Sequence, residues 1–342
     1  MKKRPTITDV AREAGVSIAS ISYFLNGKGG VGAETRERIE QAIVKLGYIP
    51  DISARSLANR RSRLIGVVIP QLEEGSRLVF ANPFYASILS SIEHEARDRG
   101  FHIIVSGVSA DESYLELARR RNLEGIIIIG MYPDGFYEDL KRSEIPIVLV
   151  DSVCEDHDFD DVVIDDRKGG ALAATYLLER GHTRIAMLAG FPAPGGVHAE
   201  RITGFRDAVL TAGIKDDPCR IIDVTVGFDA GRQAADRVVT LFPRGGAVFA
   251  AADVLAIGLI KGLKEKGFRV PEDYSVIGFD DLDISRWITP GLTTVGQDII
   301  GKGAIAVRLV AERIEGAPSG RQRLVLPVHM VERESVRDLR IP

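Results

Sequence analysis

The chain has 342 residues, more than one typical domain, and its 45% hydrophobic content and 35 glycines suit compact α/β units joined by short loops. Two cysteines, Cys154 and Cys219, make no disulfide framework, and no apolar run approaches the roughly 18 residues of a membrane helix, so a disulfide-stapled domain and a helical membrane span are excluded. The net charge of −4 hides a split: residues 1–63 carry 12 Lys or Arg against 6 Asp or Glu, and residues 64–342 carry 32 against 42. A basic N-terminal piece on an acidic remainder suits a module that grips a polyanion.

The first two elements are short helices that meet at Gly15. Thr6 with Asp9 three residues on has the spacing of a capping box, Gly15 supplies the left-handed conformation that ends the first helix, and Ser17 caps the second. Val10, Ala11 and Ala14 then face Ile21 and Leu25 across a tight turn. This is a helix-turn-helix, whose second helix enters the DNA major groove. A disordered basic arm would not combine caps with apolar periodicity. Gly27 to Gly32 invites comparison with a phosphate loop, but a helix precedes it and Ala33-Glu34 follows in place of the Lys-Ser/Thr pair, so it reads as a turn. Residues 34–46 form a third helix, with Ile39, Ala42, Ile43 and Leu46 closing a three-helix core. Residues 51–63 are an Arg-rich connector with helix propensity and too little apolar surface to hold a helix alone.

From Leu64 onward, short β-branched runs alternate with amphipathic helices. Strands are predicted at 64–70, 101–106, 125–130 and 145–151, with helices over 84–99, 112–121 and 135–142 between them. A second series has strands at 162–165, 184–190, 219–224, 247–251 and 274–279, and helices near 167–180, 198–212, 229–241 and 253–266. Two successive series imply two doubly wound sheets, each with a crevice at its strand C-terminal ends. A ligand site between two such lobes is the default expectation. The acidic stretch Glu155 to Asp161 has calcium-loop spacing at Asp156, Asp158 and Asp160. It lacks the glycine and the terminal glutamate of such a loop and reads as solvated. No metal, no cofactor and no catalytic site is expected.

Four motifs stand in a recognisable order: the helix-turn-helix, the connector Asp51-Ile52-Ser53-Ala54-Arg55-Ser56-Leu57, the run from Val270 to Asp281, and Pro290 to Gln297. From Thr6 to about Ser335 the chain resembles the LacI/GalR family of bacterial transcription regulators. The fold class implied is an N-terminal all-α helix-turn-helix headpiece plus an α/β body of two doubly wound lobes like a periplasmic binding protein. The headpiece would be 1–50, the hinge helix and linker 51–63, and the effector-binding and dimerisation domain 64–342. Its first lobe would hold about 64–164 and 296–325, and its second about 165–295 and 326–342.

The resemblance also implies roles for particular residues. Ile18, Ala19 and Tyr23 match base-contacting positions, and Thr6, Ser17, Ser22 and Asn26 match positions that hydrogen-bond phosphates. Ala54 and Leu57 match the connector helix, where the leucine wedges into a base step from the minor groove. Asn82, Phe84, Asp151, Arg201, Asp253, Asp280 and Gln297 match effector-contacting regions. The carboxylates and amides among them would orient a hydroxyl-rich ligand, with an aromatic face packed on it. There are departures from the family pattern. Tyr23 stands where many members have arginine, so a bidentate contact to guanine is lost. Gly32 replaces a capping serine, Ala252 replaces an asparagine before Asp253, and residues 71–81 are an insertion near the cleft rim. The implied protein is a cytoplasmic regulator, a repressor by family, that binds a pseudo-palindromic double-stranded DNA operator as a homodimer. Its operator affinity would be set by a small-molecule effector, a sugar or sugar derivative, with no membrane partner. A periplasmic sugar receptor and a carbohydrate-active enzyme are the rival readings. The first would need an export signal, which the polar N-terminus lacks, and has no use for a basic helix-turn-helix; the second would need a proton-transfer pair in the crevice.

Overall fold

The computed structural model describes residues 5–25, 30–48, 62–70, 82–108, 114–132, 134–141, 143–152, 154, 159–190, 195–215, 220–318 and 320–341. The chain divides into two compact units, Met1–Arg63 and Leu64–Pro342.

In the first unit, helix α1 (Ile7–Ala14) starts on the expected capping box: the Asp9 amide donates to Thr6 Oγ1 at 3.4 Å, and the Thr6 amide donates to Asp9 Oδ2 at 2.9 Å. Gly15 ends it at φ 65°, and the Val16 amide donates back to the Ala11 carbonyl at 3.0 Å. A residue with a Cβ would be strained at that angle, so the glycine makes the turn. Helix α2 (Ile18–Leu25) follows at once, with the Ser20 amide donating to Ser17 Oγ at 3.1 Å. Helix α3 (Ala33–Leu46) begins at Gly32 without a side-chain cap and ends at a second left-handed glycine, Gly47. Val10, Ala11, Ala14, Ile21, Ile39 and Ala42 are buried together, with Leu25, Ile43 and Leu46 packed against them. All nine residues of the predicted core meet there.

The second unit holds two six-stranded sheets. Along the chain come β1 (Leu64–Pro70), α4 (Pro83–Asp98), β2 (His102–Val108), α5 (Tyr114–Arg120), β3 (Gly125–Ile129), α6 (Asp134–Leu140), β4 (Ile147–Val150) and β5 (Asp160–Ile164). Next are α7 (Asp166–Glu179), β6 (Ile185–Ala189), α8 (Val197–Thr211), β7 (Ile221–Asp223), α9 (Phe228–Leu241), β8 (Gly246–Ala250), α10 (Asp253–Glu265), β9 (Tyr274–Asp280) and β10 (Thr293–Gln297). Helix α11 (Ile299–Ile314) and strands β11 (Arg323–Leu326) and β12 (Val328–Val331) complete it. The sheets run β11-β5-β4-β3-β1-β2 and β12-β10-β9-β8-β6-β7, and every pairing is parallel except β10 with β12. Among the described residues, no helix is long and apolar enough to cross a membrane.

Strands β3 and β4 are buried along their whole length, as continuous isoleucine and valine runs require when helices cover both faces. The chain passes between the sheets three times: after Ile164, after Gln297, and between Leu326 and Val328. Gly296 and Gln297, allotted by sequence to the first lobe, are the last two residues of β10 in the second sheet. Helices α7 and α8 touch backbone to backbone: a Cβ on Gly204 would lie 1.8 Å from the Arg167 carbonyl oxygen, and one on Gly170 2.0 Å from that of Arg201. That contact brings the first turn of α7 against the middle of α8.

Candidate functional site

On the headpiece, the residues expected to read bases stand out from the core. Ile18 is 48% exposed and Tyr23 50%, with Ala19 exposed between them in sequence. Large apolar side chains are exposed on one face of a helix whose opposite face is buried through Ile21. Thr6 and Ser17 are exposed at the N-termini of α1 and α2, where free N–H groups and helix dipoles favour anions. Ser22 is half-buried. Asn26, Ala54 and Leu57 lie outside the described residues, as does the insertion at 71–81.

In the second unit, the expected effector residues gather at strand C-terminal ends, where open α/β sheets bind ligands. Asn82 caps α4, its Oδ1 accepting from the Phe84 amide at 3.0 Å with Pro83 at the first helical position. The Phe84 ring lies edge-on to Tyr85, centroids 5.5 Å apart. Asp151 follows β4 at φ 55°, and Asp280 ends β9 at φ 114°. Left-handed conformations are uncommon outside glycine, and each costs about 1–3 kcal/mol. Here they turn carboxylates out of the strand direction at both sheet edges.

A hydrogen-bonded chain joins the two edges. Lys302 on α11 is fully buried and donates through Nζ to Asp151 Oδ1 and to Gln297 Oε1, each at 2.5 Å. Gln297 in turn donates through Nε2 to Asp280 Oδ1 at 2.6 Å. The order Asp151–Lys302–Gln297–Asp280 therefore runs from the first sheet to the second. The Lys302 ammonium also lies 5.8 Å from the centre of the Phe84 ring.

Arg201 on α8 is buried in a second cluster. Its Nε donates to Asp166 Oδ1 at 2.7 Å, its Nη1 donates to the Ala251 carbonyl at 2.6 Å, and its guanidinium stacks 3.5 Å from the Phe279 ring centre. Burial pushes Asp166 up to about 6 against the pull of Arg201. Burial likewise pushes Asp280 up to about 6, with Arg201 again working against the rise. The Tyr85 hydroxyl is pushed up to about 12, first by burial and then by the Asp151 and Asp280 carboxylates, so its ring stands among them.

Asp253 is placed differently from the other six. It is fully buried at the start of α10, and its two oxygens accept from the Leu282 amide at 2.7 Å, Ser285 Oγ at 2.8 Å and Thr294 Oγ1 at 2.6 Å. Burial and the neighbouring Asp280 raise its pKa, and the three donors oppose that rise. It braces the turn after β9 against β10.

The sequence reading omitted four residues that belong to this region. Lys302 is legible in hindsight as one cation on the buried stripe of Ile299, Gly303, Ala306 and Val307. Asp166 adjoins Asp165, which caps α7 by accepting from the Lys168 amide at 2.9 Å, so one of the adjacent acids faces out and the other in. Tyr85 is the third. His198, the fourth, sits beside Gly190 at the end of β6, where a Cβ would meet its Nε2 at 2.8 Å. Its Nδ1 is buried without a hydrogen-bond partner among the described residues, and burial followed by the Arg201 charge lowers its pKa to about 3. The imidazole is neutral.

Known proteins resemble the chain over both units. Residues 6–51 match the bacterial regulatory proteins of the lacI family, and residues 174–336 match the periplasmic binding protein-like domain. The chain is 32% identical to the HTH-type transcriptional regulator DegA of Bacillus subtilis, over 98% of this chain and 99% of DegA. It is 33% identical to the HTH-type transcriptional regulator CelR of Thermobifida fusca, over 98% of this chain and 99% of CelR. Among solved structures, the lac repressor dimer bound to operator and the anti-inducer ONPF has a TM-score of 0.83 at 28% identity, covering 98% of this chain and 100% of that one. A complex of the transcriptional regulator CelR with cellobiose has a TM-score of 0.72 at 31% identity, covering 97% and 100%.

Proposed function

The chain belongs to the lacI family of bacterial regulatory proteins and is a DNA-binding transcriptional regulator under small-molecule control; on that premise we propose that it is a cytoplasmic repressor whose homodimer binds a pseudo-palindromic operator and answers to a sugar or sugar derivative. The headpiece supports direct reading of DNA by Ile18, Ala19 and Tyr23. The first two offer only apolar surface, which suits thymine methyls, and Tyr23 adds a ring and a hydroxyl. Thr6, Ser17, Ser22 and Asn26 fix register on phosphates, and Leu57, with Ala54 on the same connector, wedges into a central base step from the minor groove. A two-fold operator requires a two-fold reader, hence the homodimer.

The observation that carries the effector reading is the Asp151–Lys302–Gln297–Asp280 chain between the two sheet edges. A ligand that hydrogen-bonds there touches both lobes at once, so its binding depends on how far they are closed. Asn82, Phe84, Asp151, Arg201, Asp280 and Gln297 form the walls, with Phe84 as the ring that packs on the ligand. Asp253 holds the second wall in place from behind. The test is thermal denaturation of the full chain against a carbohydrate library, followed by fluorescence anisotropy on operator DNA with each hit. A sugar that raises the melting temperature and changes operator affinity supports the reading. Sugars that bind without changing operator affinity, or DNA binding that no library member alters, would refute it.

A further inference from the structure

We propose that the pairing of Lys302 with Asp151, which leaves the Asp280 carboxylate to face the ligand, sets the charge selectivity of the cleft, so that it takes uncharged polyols and turns away their phosphorylated or carboxylated forms. The inference rests on the sugar-effector reading above and goes beyond it by fixing the ligand's charge.

A buried lysine in a ligand cleft ordinarily suggests an anion, but here the surroundings reverse that. Lys302 is already held by Asp151 and Gln297, each at 2.5 Å. The other cation of the region, Arg201, is held by Asp166 and the Ala251 carbonyl, with its face against Phe279. Each cation thus has its own carboxylate. The carboxylate of Asp280 instead accepts its hydrogen bond from an uncharged amide, that of Gln297. An incoming phosphate or carboxylate would meet the Asp280 carboxylate while Lys302 and Arg201 stay held by Asp151 and Asp166, and like charges in a desolvated site repel strongly. A hydroxyl, by contrast, can donate to Asp280. The polar atom left over on the second sheet's edge is neutral as well: His198 Nδ1, buried and without a partner among the described residues. Neutral hydrogen-bonding groups beside paired charges suit a ligand that carries hydroxyls and no net charge.

The experiment uses the full chain and four matched probe pairs: D-ribose with its 5-phosphate, D-glucose with its 6-phosphate, D-xylose with xylonate, and cellobiose with cellobionate. Calorimetric affinities are compared for the wild type, Asp151→Asn, and the pair Asp151→Asn/Lys302→Met. For a pair that binds, the neutral member should bind the wild type at least about 100-fold tighter than its anion. Asp151→Asn frees the ammonium and should narrow that ratio at least about tenfold, and adding Lys302→Met should restore it. A purely structural role for the Asp151–Lys302 pair would leave the ratio unchanged in all three proteins. Tighter binding of the anion by the wild type, or a ratio that Asp151→Asn does not move, overturns the inference and leaves the sugar-effector reading standing. If neither member of any pair binds, both fall. The wild-type comparison stands by itself if a variant does not fold.

Discussion

Replacing Asp253 with alanine separates a brace from a ligand contact. Three donors converge on its carboxylate: the Leu282 amide, Ser285 Oγ and Thr294 Oγ1, and both Ser285 and Thr294 are fully buried. The two hydroxyls can rotate in search of other acceptors, so each contributes about 1 kcal/mol to the loss, whereas the fixed N–H of Leu282 costs about 1–3 kcal/mol when orphaned. Relief of the repulsion with Asp280 offsets part of this. The net expectation is about 3 kcal/mol, or a melting temperature lower by roughly 6–12 °C for a unit of this size. Circular dichroism of the full chain reads the transition, and operator binding with effector reads the response. Asp253→Asn keeps one acceptor and should fall between wild type and alanine. An unchanged melting temperature together with a lost effector response would refute the brace and return Asp253 to the ligand.

Other expectations follow from the same geometry. Gly204→Ala should separate α7 from α8, because its Cβ would fall 1.8 Å from the Arg167 carbonyl; effector affinity and thermal stability should both drop as Arg201 is displaced from Asp166. Burial raises the Asp280 pKa in the folded chain above the ordinary carboxylate value of 3.8, so its contribution to stability is complete below pH 3.8 and is lost as pH rises through the raised value. Asp280→Asn should therefore flatten the pH dependence of unfolding above pH 3.8. Arg201 and Lys302 favour the ionised form and Asp151 opposes it, and so does Asp253 alongside. Since the carboxylate is the better acceptor for a sugar hydroxyl, wild-type effector affinity should rise with pH through about 6, and an affinity that falls there would contradict that role. Thr6→Ala removes the α1 cap and should destabilise the headpiece by about 1 kcal/mol, read as weaker operator binding.

Much of the fold was legible because its signals are local. The caps at Thr6, Gly15 and Ser17 act within a few residues, and all three make the predicted contacts or angles. The parallel strands are written as unbroken isoleucine and valine runs, which only burial on both faces explains. The last elements were harder to read. Strand β11 pairs at the edge of the first sheet with alternating exposure, and β12 is antiparallel, so neither carries the continuous apolar run that marks the others.

The site was harder to read for a different reason. Motif order located the strand ends, and so Asp151, Asp280 and Gln297, but not which side chain meets which. Lys302 reaches Asp151 across 151 positions, and Arg201 reaches Asp166 across 35. A sequence motif can mark an aspartate as important without telling a ligand contact from a carboxylate that its own neighbours hold, as Leu282, Ser285 and Thr294 hold Asp253. The proposed site also lies where the chain crosses between the two sheets. Gln297 is the last residue of the second sheet before the chain returns to the first, Asp298 caps α11 by accepting from the Gly301 amide, and Lys302 lies one turn on. The crossover is therefore held on both sides by the Asp151–Lys302–Gln297–Asp280 hydrogen bonds. A hydroxyl that donates to Asp280 would compete with Gln297 Nε2, and one that donates to Gln297 Oε1 would compete with Lys302, so either would weaken a link between the two lobes. An effector can shift the closure equilibrium only through such differential contacts, and this crossover supplies them where the lobes join.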